Sequence, residues 1–284
     1  IGPGDEVILC GSTCSVMPNA ILRVGAKPVY SDIDKNTFGS CARSIEACVT
    51  PNTKLVVAQH SFGIPCEIDI IAKLCKDNGI ILVEDCALAL GSRLREKCVG
   101  TFGDAAIFST DHSKPINTII GGLVYSENSD IIDKVITVQK KCKHLPVTKE
   151  KALWTQFLVE RSLAKPWLYG TLVFYNSLRG NIQKRFGWPS PFLDEDTSDE
   201  IEKVAYPYPS KLPEFIGLLG IYELARWKLI AAQRRETLNF YKVELLGSLS
   251  KDVIPGVYSD NKRYIIPLRF VFSCRKADSL KSKL

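Results

Sequence analysis

The sequence predicts an α/β fold with a largely parallel sheet, and three observations support this prediction. In the first half of the chain, short apolar runs alternate with segments of roughly ten residues that have helical periodicity, the pattern of βαβ units. The apolar runs are continuous, as expected for strands that are buried on both faces. Polar side chains follow the ends of several runs, where parallel α/β sheets collect their ligands.

The first eighty residues supply three strands and three helices in alternation. Glycine or proline marks the end of each helix: Gly25 after the first, Pro51 after the second and Gly79 after the third. The predicted strands are residues 7–10, 28–33 and 55–58, and the predicted helices are about 15–24, 43–48 and 67–77.

Residues 80–126 form the stretch around which a functional site is predicted. Three apolar runs, 80–86, 105–109 and 121–126, are predicted as further buried strands, with a polar hairpin-like segment between the first two. Asp85 lies at the end of the first run and Ser109 at the end of the second, and Lys114 follows five residues later. A second helical pattern covers about 130–143.

An acid, a hydroxyl and an amine at strand ends are the groups that a pyridoxal phosphate site needs. The amine of Lys114 would hold the cofactor as a Schiff base, and the carboxylate of Asp85 would keep its pyridine nitrogen protonated. Ser109, with backbone N–H groups, would bind the phosphate. Taken singly, the three residues also suit a helix cap, a turn and a solvated surface. Their order and spacing favour the site.

Further motifs stand in a fixed order around these residues. They are Gly2-Pro3-Gly4-Asp5-Glu6, Gly25-Ala26-x-Pro28, Asp32-Ile33-Asp34, His60-x-x-Gly63, Val83-Glu84-Asp85-Cys86-Ala87, Gly100-Thr101-Phe102-Gly103-Asp104, and Phe108-Ser109 followed by Lys114 and Gly121-Gly122. The set resembles the DegT/StrS-type nucleotide-sugar aminotransferases, which are fold type I pyridoxal phosphate enzymes. The resemblance is strong over residues 1–145 and weak over 211–270.

The resemblance implies a fold type I, three-layer α/β/α large domain with a mostly parallel sheet, over residues 1–145. We expect its N-terminal part to be missing, because the Gly-Thr-Ala-type phosphate cup of the family is not in this sequence. Residues 146–210 are expected to be an irregular aromatic and Pro-rich connecting segment. Residues 211–284 would form a linking helix and an incomplete small C-terminal α+β domain, with 267–271 as one strand.

The resemblance also assigns site residues. Lys114 and Asp85 would be catalytic, and Lys114, Asp85 and Ser109 would bind the cofactor. Two further positions depart from the family pattern: Leu88 stands where Gln or His often stacks on the pyridine ring, and Cys14 where an aromatic side chain is frequent. His60 either borders the cofactor pocket or is a strand-end histidine satisfied by the protein itself.

Composition bounds the remaining expectations. A net charge of +6 is too mild for a nucleic-acid partner. The ten cysteines are dispersed without a C-x-x-C motif, so reduced thiols in a cytoplasmic protein are expected, and no metal. The aromatic run 166–175 is too short to span a membrane. It would pack against a dimer mate or the large domain or, alternatively, lie on a membrane surface.

The expected activity is transfer of an amino group, with glutamate as the expected donor, to a keto group of a nucleotide-linked sugar by a homodimer that uses pyridoxal 5'-phosphate. Two alternatives stay open. One is a deoxysugar dehydratase of the same family, and the other is a catalytically weak binding or regulatory paralogue, which the departures at Leu88 and Cys14 would suit.

Overall fold

The computed structural model describes residues 1–163, 165–186, 209–248 and 255–272, and its main feature is a twisted central sheet. Within these residues, six strands form the sheet in the order β2-β1-β3-β4-β7-β8. Their bounds are β1 Glu6–Cys10, β2 Lys27–Ser31, β3 Thr53–Gln59, β4 Ile81–Asp85, β7 Ala105–Ser109 and β8 Gly122–Tyr125. All neighbours pair in parallel except β7 and β8, which are antiparallel. The prediction of a mostly parallel sheet is confirmed.

Helices cover both faces of the sheet because consecutive residues of a strand point to opposite sides. On one face, Val7 and Leu9 of β1 pack with Ile21 of helix α1 (Val16–Arg23). On the other face, Ile8 packs with Ile45, Ile68 and Ile71, which belong to helices α2 (Ala42–Cys48) and α3 (Ile68–Asp77). This arrangement is the predicted three-layer architecture, and every predicted helix of this region is present.

The polar segment between β4 and β7 is a hairpin, as predicted. Its strands are β5 (Arg93–Leu94) and β6 (Lys97–Cys98). After β8, helix α4 spans Ser129–Lys141 and begins with an N-cap at Asn128, whose side chain accepts a hydrogen bond from the amide of Asp130.

The prediction of an irregular connecting segment was wrong for much of its length. Helix α5 spans Val147–Leu163 and helix α6 spans Tyr169–Phe186. Residues 147–163 contain no Gly or Pro, so nothing in the backbone interrupts a helix there. Their apolar residues do not follow one helical face, which is why periodicity did not reveal the helix. Residues 187–208 lie outside the described part of the chain.

Helix α7 spans Glu214–Ser248, where the linking helix was predicted. Strands β9 (Lys143–His144) and β10 (Ser210–Lys211) pair with each other, and β11 (Arg263–Tyr264) pairs antiparallel with β5. The predicted strand at 267–271 was wrong. Two amides of this segment make separate hydrogen bonds instead of a strand ladder. The amide of Leu268 donates to the carbonyl of Phe62, and the amide of Val271 donates to the hydroxyl of Tyr258.

No described helix combines the length and apolar character needed to cross a membrane.

Ser92 is a buried hydroxyl that joins the hairpin region to the C-terminal segment. It has no exposed surface, donates to the carbonyl of Gly63 at 2.7 Å and accepts from the amide of Ile266 at 2.9 Å. We expect Ser92→Ala to lower the free energy of unfolding by about 2 kcal/mol, because both buried partners lose their hydrogen bond. Urea denaturation against the exposed-site control Ser113→Ala would measure the loss. Equal midpoints for the two variants would contradict this role.

Candidate active site

Four parallel strands bring their carboxyl ends to one edge of the sheet, and this edge carries the predicted site. The strands are β1, β3, β4 and β7, and the residues at or just beyond their ends include Gly11, His60, Asp85 and Ser109. Asp85 is in register with Gln59 of β3 and Ile107 of β7, so it lies in the middle of this edge. The predicted convergence of strand-end side chains is therefore present.

Asp85 is a buried carboxylate, with 8% of its surface exposed. One of its oxygens, Oδ1, accepts a hydrogen bond from the amide of Ala87 at 3.0 Å. Burial raises the pKa of Asp85, while the hydrogen bond from the Ala87 amide and the charge of Lys114 act in the opposite direction. A carboxylate in this position would gain free energy from a cation placed beside it.

Lys114 is half-buried on the loop between β7 and β8, which leaves the sheet at the same edge as Asp85 because β4 and β7 are parallel. Its amide donates to the carbonyl of Asp111 at 2.9 Å, which forms a turn. The charge of its amine acts on the Asp85 carboxyl, so the two predicted catalytic groups belong to one electrostatic environment. Ser109, at the end of β7, accepts a long hydrogen bond of 3.4 Å from the amide of Asp111.

Sequence reasoning missed the residue that closes the Lys114 loop. Thr118 is buried, and its hydroxyl lies 2.7 Å from the hydroxyl of Thr110 and 2.7 Å from the carbonyl of Ile120. The amide of Thr118 also donates to the carbonyl of Thr110 at 2.8 Å. Beyond this closure, Ile119 and Ile120 pack against Leu153 of α5. The loop carrying Lys114 is therefore tied at its base and packed on its far side.

His60 and Glu84 form a buried pair directly beneath this edge. Neither side chain has exposed surface, and Nε2 of His60 lies 3.0 Å from Oε2 of Glu84. The other ring nitrogen, Nδ1, accepts from the amide of Cys66 at 3.2 Å, so the proton of the ring is carried on Nε2. These contacts favour the second of the two interpretations of His60, a strand-end histidine satisfied within the protein.

Glu84 is the second residue that sequence reasoning missed. Its Oε2 also accepts from the amide of Gly100 at 2.7 Å, and its Oε1 accepts from Phe102 at 2.6 Å and Gly103 at 2.8 Å. Burial alone would raise the pKa of Glu84, but the hydrogen bonds from His60 and from the loop amides outweigh it and lower that pKa. One carboxylate thus holds the 100–103 loop and His60 together.

Cys86 completes a group of possible metal ligands with this pair. The ligand atoms of His60, Glu84 and Cys86 lie within 4.8 Å of one another. The Glu84 oxygens already accept four hydrogen bonds and Nδ1 of His60 accepts another. A metal ion would have to displace these bonds, and burial raises the pKa of the Cys86 thiol to about 11, which disfavours the thiolate that binds metals. We therefore assign the group a structural role.

The two positions that depart from the family pattern flank the edge. Leu88 is half-buried in the turn after β4, three residues beyond Asp85, and Cys14 is exposed in the loop between β1 and α1. That loop is tied to β3 because Gln59 donates from Nε2 to the carbonyl of Ser12 at 2.8 Å. His112 is half-exposed on the Lys114 loop, where its Nδ1 lies 2.9 Å from Oδ1 of Asp111.

Comparison with known proteins identifies the family. The profile of the DegT/DnrJ/EryC1/StrS aminotransferase family matches residues 1–160. The chain is 38% identical over 220 residues to the spore coat polysaccharide biosynthesis protein SpsC of Bacillus subtilis. The aligned region covers 77% of this chain and 54% of SpsC. It is also 38% identical over 136 residues to GDP-perosamine synthase of Escherichia coli O157:H7. This aligned region covers 48% of this chain and 37% of that enzyme.

Solved structures agree with the fold. The sugar aminotransferase CalS13 of Micromonospora echinospora matches with a TM-score of 0.69 at 19% identity, over 100% of this chain and 65% of CalS13. The chain spans about half of the length of SpsC and about a third of GDP-perosamine synthase. Because the family profile matches residues 1–160, more than half of the chain, this protein belongs to the DegT/DnrJ/EryC1/StrS aminotransferase family.

Proposed function

We propose that this chain carries the cofactor-binding part of a pyridoxal phosphate-dependent aminotransferase. The observation that carries the proposal is the buried Asp85 carboxylate at the sheet edge, whose pKa is raised by burial and which feels the charge of Lys114. A buried carboxylate without full compensation matches the chemistry of a pyridinium partner. Membership of the aminotransferase family supports the same assignment.

The residues present fit the cofactor, and each would have a separate task. Asp85 would hold the protonated pyridine nitrogen, Lys114 would attach the cofactor through its Nζ, and Ser109 would bind the phosphate. When bound, pyridoxal phosphate supplies an electron sink for the carbon that loses a proton. Released from the cofactor, Nζ of Lys114 would take up that proton and return it at the neighbouring carbon. Leu88 and Cys14 would border the two faces of the ring.

The proposed substrates are glutamate, as the amino donor, and a keto sugar carried on a nucleotide. The relatives support this class: one matched protein is a GDP-perosamine synthase, and one matched structure is that of DesI with its TDP-sugar product. We further propose that the whole protein acts as a cytoplasmic homodimer. Residues 1–145 would be its cofactor-binding domain, and 211–284 part of a small C-terminal domain.

The absorption spectrum of the full-length protein with pyridoxal phosphate tests the proposal. We expect a visible band from the covalently held cofactor, which disappears in Lys114→Ala because the attaching amine is gone. Addition of glutamate should then shift the band of the wild-type protein to that of the aminated cofactor. Lys134→Ala, which removes an exposed lysine on α4, is the matched control and should keep the wild-type spectrum.

Each other outcome has a definite meaning. A band that persists in Lys114→Ala would contradict the assignment of the attaching residue. A band that depends on Lys114 but responds to no amino donor would overturn the aminotransferase proposal. It would favour the dehydratase or the weak paralogue.

A further inference from the structure

A cavity of about 360 Å³ lies at the junction of three segments that are far apart in the sequence. They are the β5–β6 hairpin, the C-terminal half of helix α7 and residues 258–264. This volume is within the range of small-molecule sites. Neither Asp85, Ser109 nor Lys114 lines the cavity, so it is separate from the candidate active site.

The lining of the cavity is strongly cationic. Five basic side chains and two carboxylates face it, and the basic ones are Arg93, Arg95, Arg235, Lys242 and Arg263. Two of the five are neutralised by partners: Arg263 pairs with Asp260, and Arg95 pairs with Asp69 at 3.0 Å. Among the described residues, the other three have no carboxylate within ion-pair distance.

Strand pairing and helix α7 bring two of these three cations, Arg93 and Arg235, to the same aromatic ring. In the antiparallel ladder of β11 and β5, Tyr264 stands directly opposite Arg93. The guanidinium of Arg235, from α7, lies 3.6 Å from the centre of the Tyr264 ring, and that of Arg93 lies 5.5 Å from it. A guanidinium held over a ring is pre-positioned, and its N–H groups lie in its own plane and stay available to an acceptor.

We propose that this cavity binds a small molecule through a diphosphate group. The three cations without carboxylate partners exceed the one remaining carboxylate of the lining, Glu96, and this excess positive charge suits a diphosphate. Arginine N–H groups also bind phosphate oxygens in pairs. The neutral side chains of Ser259 and Asn261 also line the cavity and supply further hydrogen-bonding groups. Because the ligand would touch all three segments, its binding would hold the C-terminal residues onto the hairpin.

Calorimetric titration of the protein with inorganic pyrophosphate, at constant ionic strength and with pyridoxal phosphate saturating, tests the proposal. We expect one saturable site, and at least about tenfold weaker binding in the double variant Arg93→Gln with Lys242→Gln, because two charge-assisted contacts are lost. The control Lys140→Gln with Lys141→Gln removes the same charge from α4 and should keep wild-type affinity. Inorganic phosphate should bind at least about tenfold more weakly than pyrophosphate.

Three results would overturn the proposal. Equal affinity of the test and control double variants would exclude this cavity as the site. Equal affinities for phosphate and pyrophosphate would contradict the diphosphate assignment. Loss of the pyrophosphate signal when pyridoxal phosphate is present, with full recovery when it is absent, would assign the binding to the candidate active site instead.

Discussion

Replacing Glu84 by alanine is expected to lower the free energy of unfolding by about 3–5 kcal/mol. The side chain has no exposed surface, and its two oxygens accept from His60 and from the amides of three loop residues, Gly100, Phe102 and Gly103. Alanine would leave all four donors without an acceptor, and two of them, Nε2 of His60 and the amide of Gly100, are buried. Equilibrium denaturation of the purified variants would measure the loss. A Glu84→Ala value within about 1 kcal/mol of the exposed control Glu46→Ala would contradict this role.

A milder variant keeps the test informative if the alanine variant does not fold. Glu84→Gln retains one oxygen acceptor and loses the charge, so an intermediate loss is expected. Because the pKa of Glu84 is lowered in the folded protein, its stabilisation is present above the ordinary value of 4.5 and is lost as the pH falls through the lowered pKa. The stability difference between wild type and Glu84→Gln should therefore shrink on acidification below that value. A difference that stays constant with pH would contradict the assigned charge.

Replacing Asp85 by asparagine is expected to weaken pyridoxal phosphate binding on the order of a hundredfold while leaving the cofactor-free protein as stable as the wild type, or more so. Burial raises the pKa of this carboxyl. An acid with a raised folded-state pKa weakens folding once the pH exceeds its ordinary value of 3.8. Asparagine removes that penalty, keeps an oxygen for the Ala87 amide and cannot pair with a pyridinium.

Two measurements on the same preparations separate the roles of Asp85. Titration of the cofactor band gives the affinity, and thermal unfolding without cofactor gives the stability. The control Asp77→Asn, which alters an exposed carboxylate on α3, should change neither the cofactor affinity nor the stability. Unchanged affinity in Asp85→Asn would mean that this carboxylate does not face the pyridine nitrogen. Unfolding of the cofactor-free variant at a much lower temperature would mean that Asp85 is chiefly structural.

Sequence reasoning succeeded where the physical signal is local. The strands and helices up to residue 141 are recognisable because burial, periodicity and Gly or Pro at the ends act over a few neighbouring residues. Asp85, Ser109 and Lys114 were predicted together because parallel strands place their carboxyl ends at one edge. Helices α5 and α6 escaped detection because their apolar residues do not share one face. Tertiary packing supports α5 instead, since its Leu153 is buried against Ile119 and Ile120.

Partners distant in the chain were decided only by the tertiary structure. The sequence shows Glu84 only as the residue before Asp85 and does not reveal its hydrogen bonds. Its role as an acceptor depends on backbone amides 16–19 residues further along the chain. The predicted strand at 267–271 has its amides taken by Phe62 and Tyr258 instead of a ladder. The cationic cavity depends on β11 pairing with β5 across about 170 residues, as the Arg93–Tyr264 register shows. Local sequence thus determined the sheet and the placement of its strand-end groups. Long-range hydrogen bonding and packing decided what holds those groups in place, since such contacts arise only once separate segments meet in the folded chain.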